Sequence, residues 1–332
     1  MGTQKSHWGF LFGIMLAYPA LGFDQSQVGE SLEKAHQAMS SLNYEGTFVY
    51  LNGSQMESMR IFHRVDEQGE HERLISLNGA AREIIRDNEE VRCILPDSQA
   101  VLVDKSRPQR PFANLLTNDF KSLQNNYRLR FRGVDRIAGR DANVIEIIPR
   151  DQYRFGFRMF VDKETFMPLK SDLVGLRGVS IEQVMFTDLQ IVDQVSTDKI
   201  LPTISGDGYT LFKHNNSKGQ DSEAKSIPDS KWEGLEAPKG FVFDTHKMDF
   251  LPDSNQPVEH IVFSDGLVSI SVYIENKSSD RRFLDGLSQL GAVSAYGSLV
   301  GESHVTVVGE VPEVTVRFVS DRVAQFLLQE KR

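Results

Sequence analysis

Leu32, Ala35, Met39 and Leu42 are spaced by three and four residues, which lays one apolar stripe along a helix. Glu33 and Lys34 fall on its wet side and Ser31 is its candidate N-cap. After this helix the period changes to two. Tyr44 to Leu51 ends at Asn52-Gly53, a strong hairpin signal, and Met59 to Val65 returns from it. Turn residues then recur at strand spacing. They predict strands over 73–77, 82–86, 91–95 and 100–104, and after a break at Pro108 and Pro111 over 127–133, 142–148, 153–161, 168–173 and 181–191. Phe112 to Leu123, apolar at Leu115, Leu116, Phe120 and Leu123, reads as one or two short helices laid on that sheet.

Residues 197–230 are poor in apolar side chains, and Asn215 to Glu223 is uniformly polar, the pattern of a flexible connector. Beyond it Gly240 to Phe243, Glu259 to Phe263, Leu267 to Glu275 and His304 to Val308 predict a second, smaller sheet. Within it Val268, Ile270, Val272 and Ile274 alternate, so one face of that strand is buried. A glycine-rich stretch (Gly286, Gly291, Gly297, Gly301) interrupts it. Pro312 at a first helical position and Val316, Val319, Val323 and Phe326 close the chain with a helix. The expected division is therefore a leader (1–22), a β-rich domain (23–196), a connector (197–230) and a small C-terminal domain (231–332).

The leader assignment rests on Lys5, the apolar run Trp8 to Ala17 and the small residues Ala20-Leu21-Gly22, with cleavage expected after Gly22. No cysteine stands directly after the apolar run, which argues against a lipid anchor, and the run is too short to span a bilayer. The 332 residues are 40% apolar and 25% charged, the balance of a globular chain. Cys93 is the only cysteine, so no intrachain disulfide forms, and its strand-like setting favours a buried inert thiol. A net charge of −9 argues against nucleic acid as principal ligand. The charge is unevenly spread: between Lys105 and Arg136 eight basic residues meet two acidic ones, whereas 231–332 is acidic. An anionic ligand on the first half fits this polarity, as does a merely solvated face.

Motifs for catalysis or metal binding are missing: no nucleophile elbow, HExxH, P-loop, GxGxxG or paired CxxC, and eight scattered histidines without ligand spacing. Ser31-Leu-Glu-Lys34 matches SxxK without its partner motifs. His71-Glu72 lacks a second His, and Asp253-Ser-Asn255 lacks the glycine and distal Glu of a calcium loop. The reading is of a non-enzyme with no cofactor and no metal. What remains is a binding pattern. Arg128, Arg130 and Arg132 alternate with Leu129 and Phe131, placing three guanidinium groups on one sheet face. Methionines such as Met59 and Met159, with neighbouring aromatics, suit an adaptable lining for acyl chains, with an ordinary core the commoner alternative. These five residues are the candidate lipid site. Trp232, Phe241, Phe243 and Tyr273 are the candidate partner surface in the smaller domain, with a role as core anchors the alternative for Trp232 and Phe241.

Six segments carry a resemblance: Ser41-Leu-Asn-Tyr-Glu-Gly-Thr-Phe-Val49, Arg60-Ile-Phe-His63, Leu77-Asn-Gly-Ala-Ala-Arg-Glu-Ile84, Asn118-Asp-Phe120, Val161-Asp-Lys-Glu-Thr-Phe-Met-Pro-Leu169 and Phe263-Ser-Asp-Gly-Leu-Val-Ser-Ile270. In this order they resemble the RseB/MucB family, periplasmic negative regulators of the envelope-stress sigma factor. The resemblance implies an α+β fold: an N-terminal unclosed antiparallel barrel like those of LolA and LolB with covering helices, then a smaller α/β domain of antiparallel strands and a terminal helix. It also implies that the chain binds the periplasmic region of a membrane anti-sigma factor of RseA or MucA type and shields it from site-1 proteolysis until lipopolysaccharide or lipid A displaces it. A homodimer is compatible with this reading. A periplasmic lipid or lipoprotein carrier of LolA type is the alternative, which the additional C-terminal domain disfavours.

Overall fold

The computed structural model describes residues 25–88, 90–104, 120–204, 206–214, 230–250, 257–277 and 283–330. The leader, the Asp253-Ser-Asn255 segment and most of the expected helical stretch before Phe120 lie outside the described residues.

Helix α1 (Gln25–Ser41) starts earlier than its apolar stripe suggests. Ser31 lies inside it and donates its hydroxyl to the Gln27 carbonyl at 2.9 Å, so it is not the cap. Of the expected stripe Leu32, Ala35 and Met39 are buried, joined by Val28, whereas Leu42 lies past the end of the helix and is half-buried; the larger of the buried ones contribute about 1.5–3 kcal/mol each. Strands β1 (Tyr44–Asn52), β2 (Gln55–Asp66), β3 (Gly69–Ser76), β4 (Glu83–Asp87), β5 (Glu90–Leu95) and β6 (Ala100–Asp104) form a meander. Helix α2 (Phe120–Asn126) leads into β7 (Tyr127–Ile137), β8 (Arg140–Pro149), β9 (Gly156–Asp162), β10 (Pro168–Val174) and β11 (Ser180–Ile191). Pairing of β1 with β11 joins the two meanders. With β12 (Thr210–His214) the order is β12-β6-β5-β4-β3-β2-β1-β11-β10-β9-β8-β7, and β7 and β12 are its edges among the described residues, so the sheet is not closed. Helices α1 and α2 pack on the face of the sheet carrying Tyr127, Leu129, Ile147, Met159 and Phe186.

The first part of the expected connector is built into this sheet. Helix α3 (Thr197–Ile200) lies on β2 and β3, where Ile200 and Val195 bury Phe62 on the face opposite α1. Strand β12 (Thr210–His214) pairs in parallel with β6. Residues 215–229 lie outside the described residues.

The second sheet contains β13 (Val242–Phe250), β14 (Pro257–Ser264), β15 (Ser269–Asn276), β16 (Gly286–Leu290), β17 (Val293–Val300) and β18 (Ser303–Gly309), in the order β13-β14-β15-β18-β17-β16. The alternation along β15 is as expected, with Ile270, Val272 and Ile274 buried. The glycine-rich stretch is itself the β16–β17 hairpin. Helix α4 (Glu313–Glu330) follows Pro312 directly and covers β17 and β18 through Val316, Val319 and Val323.

Candidate functional site

Period two along β7 puts Tyr127 and Leu129 into the core and leaves Arg128, Arg130 and Arg132 exposed on the face away from α1. The cross-strand register then sets Glu146 of β8 opposite Arg130, Arg158 of β9 opposite Glu146, and Asp172 of β10 opposite Arg158. One transverse row of alternating charge results. Arg130 donates Nε to Glu146 Oε2 at 3.0 Å, Arg132 donates Nη1 to Oε1 at 2.5 Å, and Arg158 Nε reaches the same Oε1 at 3.4 Å. Asp172 continues the row, accepting from Gln183 Nε2 at 2.9 Å with Lys170 Nζ at 3.2 Å and Arg158 Nη1 at 3.6 Å. Three guanidinium groups thus share the Glu146 carboxylate, leaving an excess of positive charge, and Arg128 has no ion-pair partner among the described residues.

Glu146 is the only charged residue in the run Val144-Ile-Glu-Ile-Ile148, a sequence signal for a buried partner that the reading of the arginines alone passes over. Burial by itself raises its carboxyl, but hydrogen bonds and charge from Arg130 and Arg132 outweigh this and hold it below the usual carboxylate range. A depressed folded-state value means that its stabilising contribution is present above the unfolded carboxylate value, about 4.3, and is lost as the pH falls through the lower folded value. The melting-temperature gap between wild type and Glu146→Gln is therefore expected to be largest near neutral pH and to shrink below about pH 4. A gap of constant size down to pH 3 would contradict the assignment.

Beside this row lies an open groove of about 530 Å³. Arg130, Arg132 and Arg158 line it on one side, and Val174, Gly175, Leu176 and Gly178 of the β10–β11 hairpin on the other. Gly156 lies in its floor, where a Cβ would stand 3.0 Å from the Pro149 ring. The five candidate lipid residues are not brought together. Met59 and Met159 are buried on the α1 side of the sheet, so the sheet separates them from the arginines, and they pack as ordinary core.

The candidate partner residues also sort by burial. Trp232 is fully buried against Phe326 of α4, with ring centroids 4.7 Å apart, and donates Nε1 to Glu259 Oε1 at 2.7 Å. Ser230 caps its turn, accepting from the Trp232 N–H at 3.2 Å while bonding His246 Nδ1 at 2.9 Å. Phe241 is buried beneath the Arg154 guanidinium at 4.7 Å. Phe243, edge-on to Phe263, and Tyr273, stacked on His260 at 4.3 Å, are half-buried and keep an outward surface.

The two sheets meet at a buried polar centre that local patterning misses. Strand β9 begins at Gly156, and the preceding Tyr153 to Phe155, expected to be strand, turn towards the second sheet. Arg154 is fully buried: Nη2 donates to the Lys239 carbonyl at 2.7 Å, Nε lies 3.3 Å from Asp265 Oδ2 and Nη1 lies 3.6 Å from Asp151. Tyr127 donates its hydroxyl to Asp265 Oδ2 at 3.1 Å, and Asp265 Oδ1 accepts the Leu267 and Val268 N–H groups at 2.9 and 3.0 Å. Burial, then the Asp265 charge, pushes the Tyr127 hydroxyl far above the ordinary tyrosine range. Thr315 of α4 adds a bond to the Tyr153 carbonyl at 2.8 Å, and the Ala292 N–H donates to Glu182 Oε1 at 3.0 Å.

No group of three or more His, Cys, Asp or Glu side chains that could hold a metal occurs among the described residues. His63 is buried between Tyr44, the Leu42 carbonyl and Glu70, and His304 is buried against Phe283 and the Leu284 carbonyl, as core histidines. Burial pushes the Cys93 thiol up, away from a reactive thiolate. Among the described residues no helix is long and apolar enough to cross a membrane.

Residues 27–204 match the model of the MucB/RseB N-terminal domain and residues 226–324 that of the MucB/RseB C-terminal domain. The chain is 31% identical over 308 residues to the sigma factor AlgU regulatory protein MucB of Pseudomonas aeruginosa, covering 91% of this chain and 92% of that protein. It is 26% identical over 296 residues to the sigma-E factor regulatory protein RseB of Escherichia coli K12, covering 89% and 90%. Among solved structures, the Pseudomonas aeruginosa MucA/MucB complex aligns with a TM-score of 0.66 at 30% identity, over 88% of this chain and 96% of the matched chain. Both halves of the chain, their order and the unclosed sheet agree, and the chain belongs to the MucB/RseB family.

Proposed function

We propose that the protein is a periplasmic negative regulator of an envelope-stress sigma factor. In this reading residues 23–196, extended by α3 and β12, and residues 231–332 are its two domains, and the chain makes and breaks no bond itself. It binds the periplasmic region of a MucA-type membrane anti-sigma factor, keeps that region from its first proteolytic cut, and gives it up when lipopolysaccharide or lipid A binds. The observation that carries the reading is the likeness, over nearly the whole chain, to a protein solved in complex with MucA. The scaffold suits it: two sheets around a shared polar centre offer an extended surface.

Release is then a competition. A lipid that binds the free form better than the complexed form drains the complex, and its effect cannot exceed that difference in affinity. The arginines of β7 are the proposed headgroup contact, since a basic residue near an anionic surface contributes about 1 kcal/mol. Mature protein, residues 23–332, mixed with the anti-sigma fragment and its site-1 protease is expected to delay cleavage, and lipopolysaccharide to restore it. Replacing Arg128, Arg130 and Arg132 together by Ala is expected to raise the lipopolysaccharide concentration for half-release by about tenfold or more. Cleavage at the same rate with and without the protein would refute the regulatory reading and turn attention to lipoprotein transfer. Unchanged release by the folded triple variant would remove the arginines from the headgroup site.

A further inference from the structure

Register places several chain segments at one end of the first sheet. Asn52 of β1 pairs with Glu182 of β11, and Val174 of β10 pairs with Ser180, so the β1–β2 and β10–β11 turns lie side by side there. The row through Arg128, Ile148, Gly156 and Val174 brings the start of β7 to the same end. Most hairpin tips carry polar residues. The tip Gly175-Leu-Arg-Gly-Val179 does not: Leu176 is 55% exposed and Val179 67% exposed, and Met56 on the neighbouring hairpin is 60% exposed.

The tip is nonetheless well formed. The Gly175 N–H donates to the Val179 carbonyl at 2.9 Å, the Gly178 N–H donates to the Gly175 carbonyl at 2.8 Å, and Gly178 holds φ +77°, which favours glycine. Leu176, Arg177 and Val179 are therefore held outward by a fixed backbone. Leu176 lines the same groove as Arg130, Arg132 and Arg158. Arg177 at the tip and Arg128 at the start of β7 have no ion-pair partner among the described residues, and the three groove arginines meet the Glu146 carboxylate, with Arg158 also near Asp172 at 3.6 Å. An ordered apolar tip flanked by cationic side chains on an otherwise acidic chain is the chemistry of an interfacial anchor: apolar residues enter the headgroup boundary while guanidinium groups meet lipid phosphates.

The geometry points to a peripheral membrane-docking surface, in which Leu176 and Val179 insert into an anionic bilayer and Arg128, Arg177 and the groove arginines contact its phosphates. A bilayer fits better than an acidic peptide because Leu176 and Val179 stay exposed on a turn, beside the point where Glu182 meets Ala292 of the second sheet, and not along a continuous strand edge. This inference does not rest on the anti-sigma reading; it shares Arg128, Arg130 and Arg132 with the proposed headgroup contact and adds the tip residues Leu176, Arg177 and Val179.

The test is flotation of residues 23–332 with vesicles of phosphatidylcholine alone and with 30% phosphatidylglycerol, at low and high salt. Binding is expected only to the anionic vesicles, weakening with salt. The folded Leu176→Ser/Val179→Ser variant is expected to lose it by tenfold or more, and Arg128→Glu/Arg177→Glu likewise, both with unaltered melting temperature because all four side chains are exposed. Equal binding to neutral and anionic vesicles, or unchanged binding by the double Ser variant, would overturn the proposal. Full displacement by millimolar inorganic phosphate would overturn it too, since it would mark a free-anion site. If lipopolysaccharide-driven release persists while vesicle binding is absent, only the docking surface falls.

Discussion

Replacing Arg154 by Met is expected to destabilise the protein by about 3–5 kcal/mol, read as a fall in the urea midpoint at neutral pH. Arg154 and Asp265 are both fully buried side chains, and they neutralise one another where the two sheets meet. Removing the guanidinium leaves Asp265 charged and fully buried, with only the Tyr127 hydroxyl and two backbone N–H groups to solvate it among the described residues. The cost comes from that stranded carboxylate more than from the lost attraction. Arg154→Met/Asp265→Asn should therefore be more stable than Arg154→Met alone, because the Asn side-chain oxygen still accepts the Leu267 and Val268 N–H groups. An unchanged midpoint in the single variant would remove Arg154 as the centre of the joint.

The same pair bears on domain motion. A mutation strands one charge in the interior, whereas separating the sheets would expose Arg154 and Asp265 to water together, where each is solvated. The joint therefore punishes substitution more than it resists opening. A partner or lipid with a modest preference for the open arrangement can shift it, within the limit of that preference. Locking the sheets with an engineered cross-link is the matching experiment, and lipid-driven release that survives the lock would show that opening plays no part.

Much of the fold was legible from period alone. The stripe of α1, the Asn52-Gly53 turn, the meander from β1 to β6 and the alternation of β15 all follow from side chains that must choose between core and water. The same logic placed Arg128, Arg130 and Arg132 on one face. It stopped where the deciding partner lies far along the chain. In β17, Gly297 packs under the Leu284 carbonyl with no room for a Cβ, so the residue that reads as a strand breaker is the one the packing requires. Strand β12 joins β6 in parallel across more than a hundred residues, a pairing with no turn to announce it. Arg154 follows Tyr153 in what looks like the start of a strand, and its burial depends on Asp265, which reads locally as half of an Asp-Gly turn. The opposition of Met59 and Met159 to the arginines was implicit in strand parity, but deciding which face faces α1 needed the register of five strands.

Trp232→Ala is expected to cost about 3–5 kcal/mol, and Tyr273→Ala about 1–2 kcal/mol, the value for a half-buried site at the middle of the range for point variants. Trp232 fills the space between the 3-10 turn Lys231–Gly234 and α4, so truncation opens a cavity against Phe326 that neither the turn nor the helix can close. It also takes from Glu259 the indole N–H it accepts at 2.7 Å, leaving that carboxylate to His246 at 2.9 Å. Tyr273 loses a stack on His260 at the sheet surface, and water replaces it. The two variants therefore separate stability from recognition. Weakened anti-sigma binding by Trp232→Ala should track its loss of folded protein in thermal melts, whereas Tyr273→Ala can weaken binding at unchanged fold only if its outward face touches the partner. A Trp232→Ala variant that melts like wild type yet fails to bind would overturn its place in the core and make it a contact.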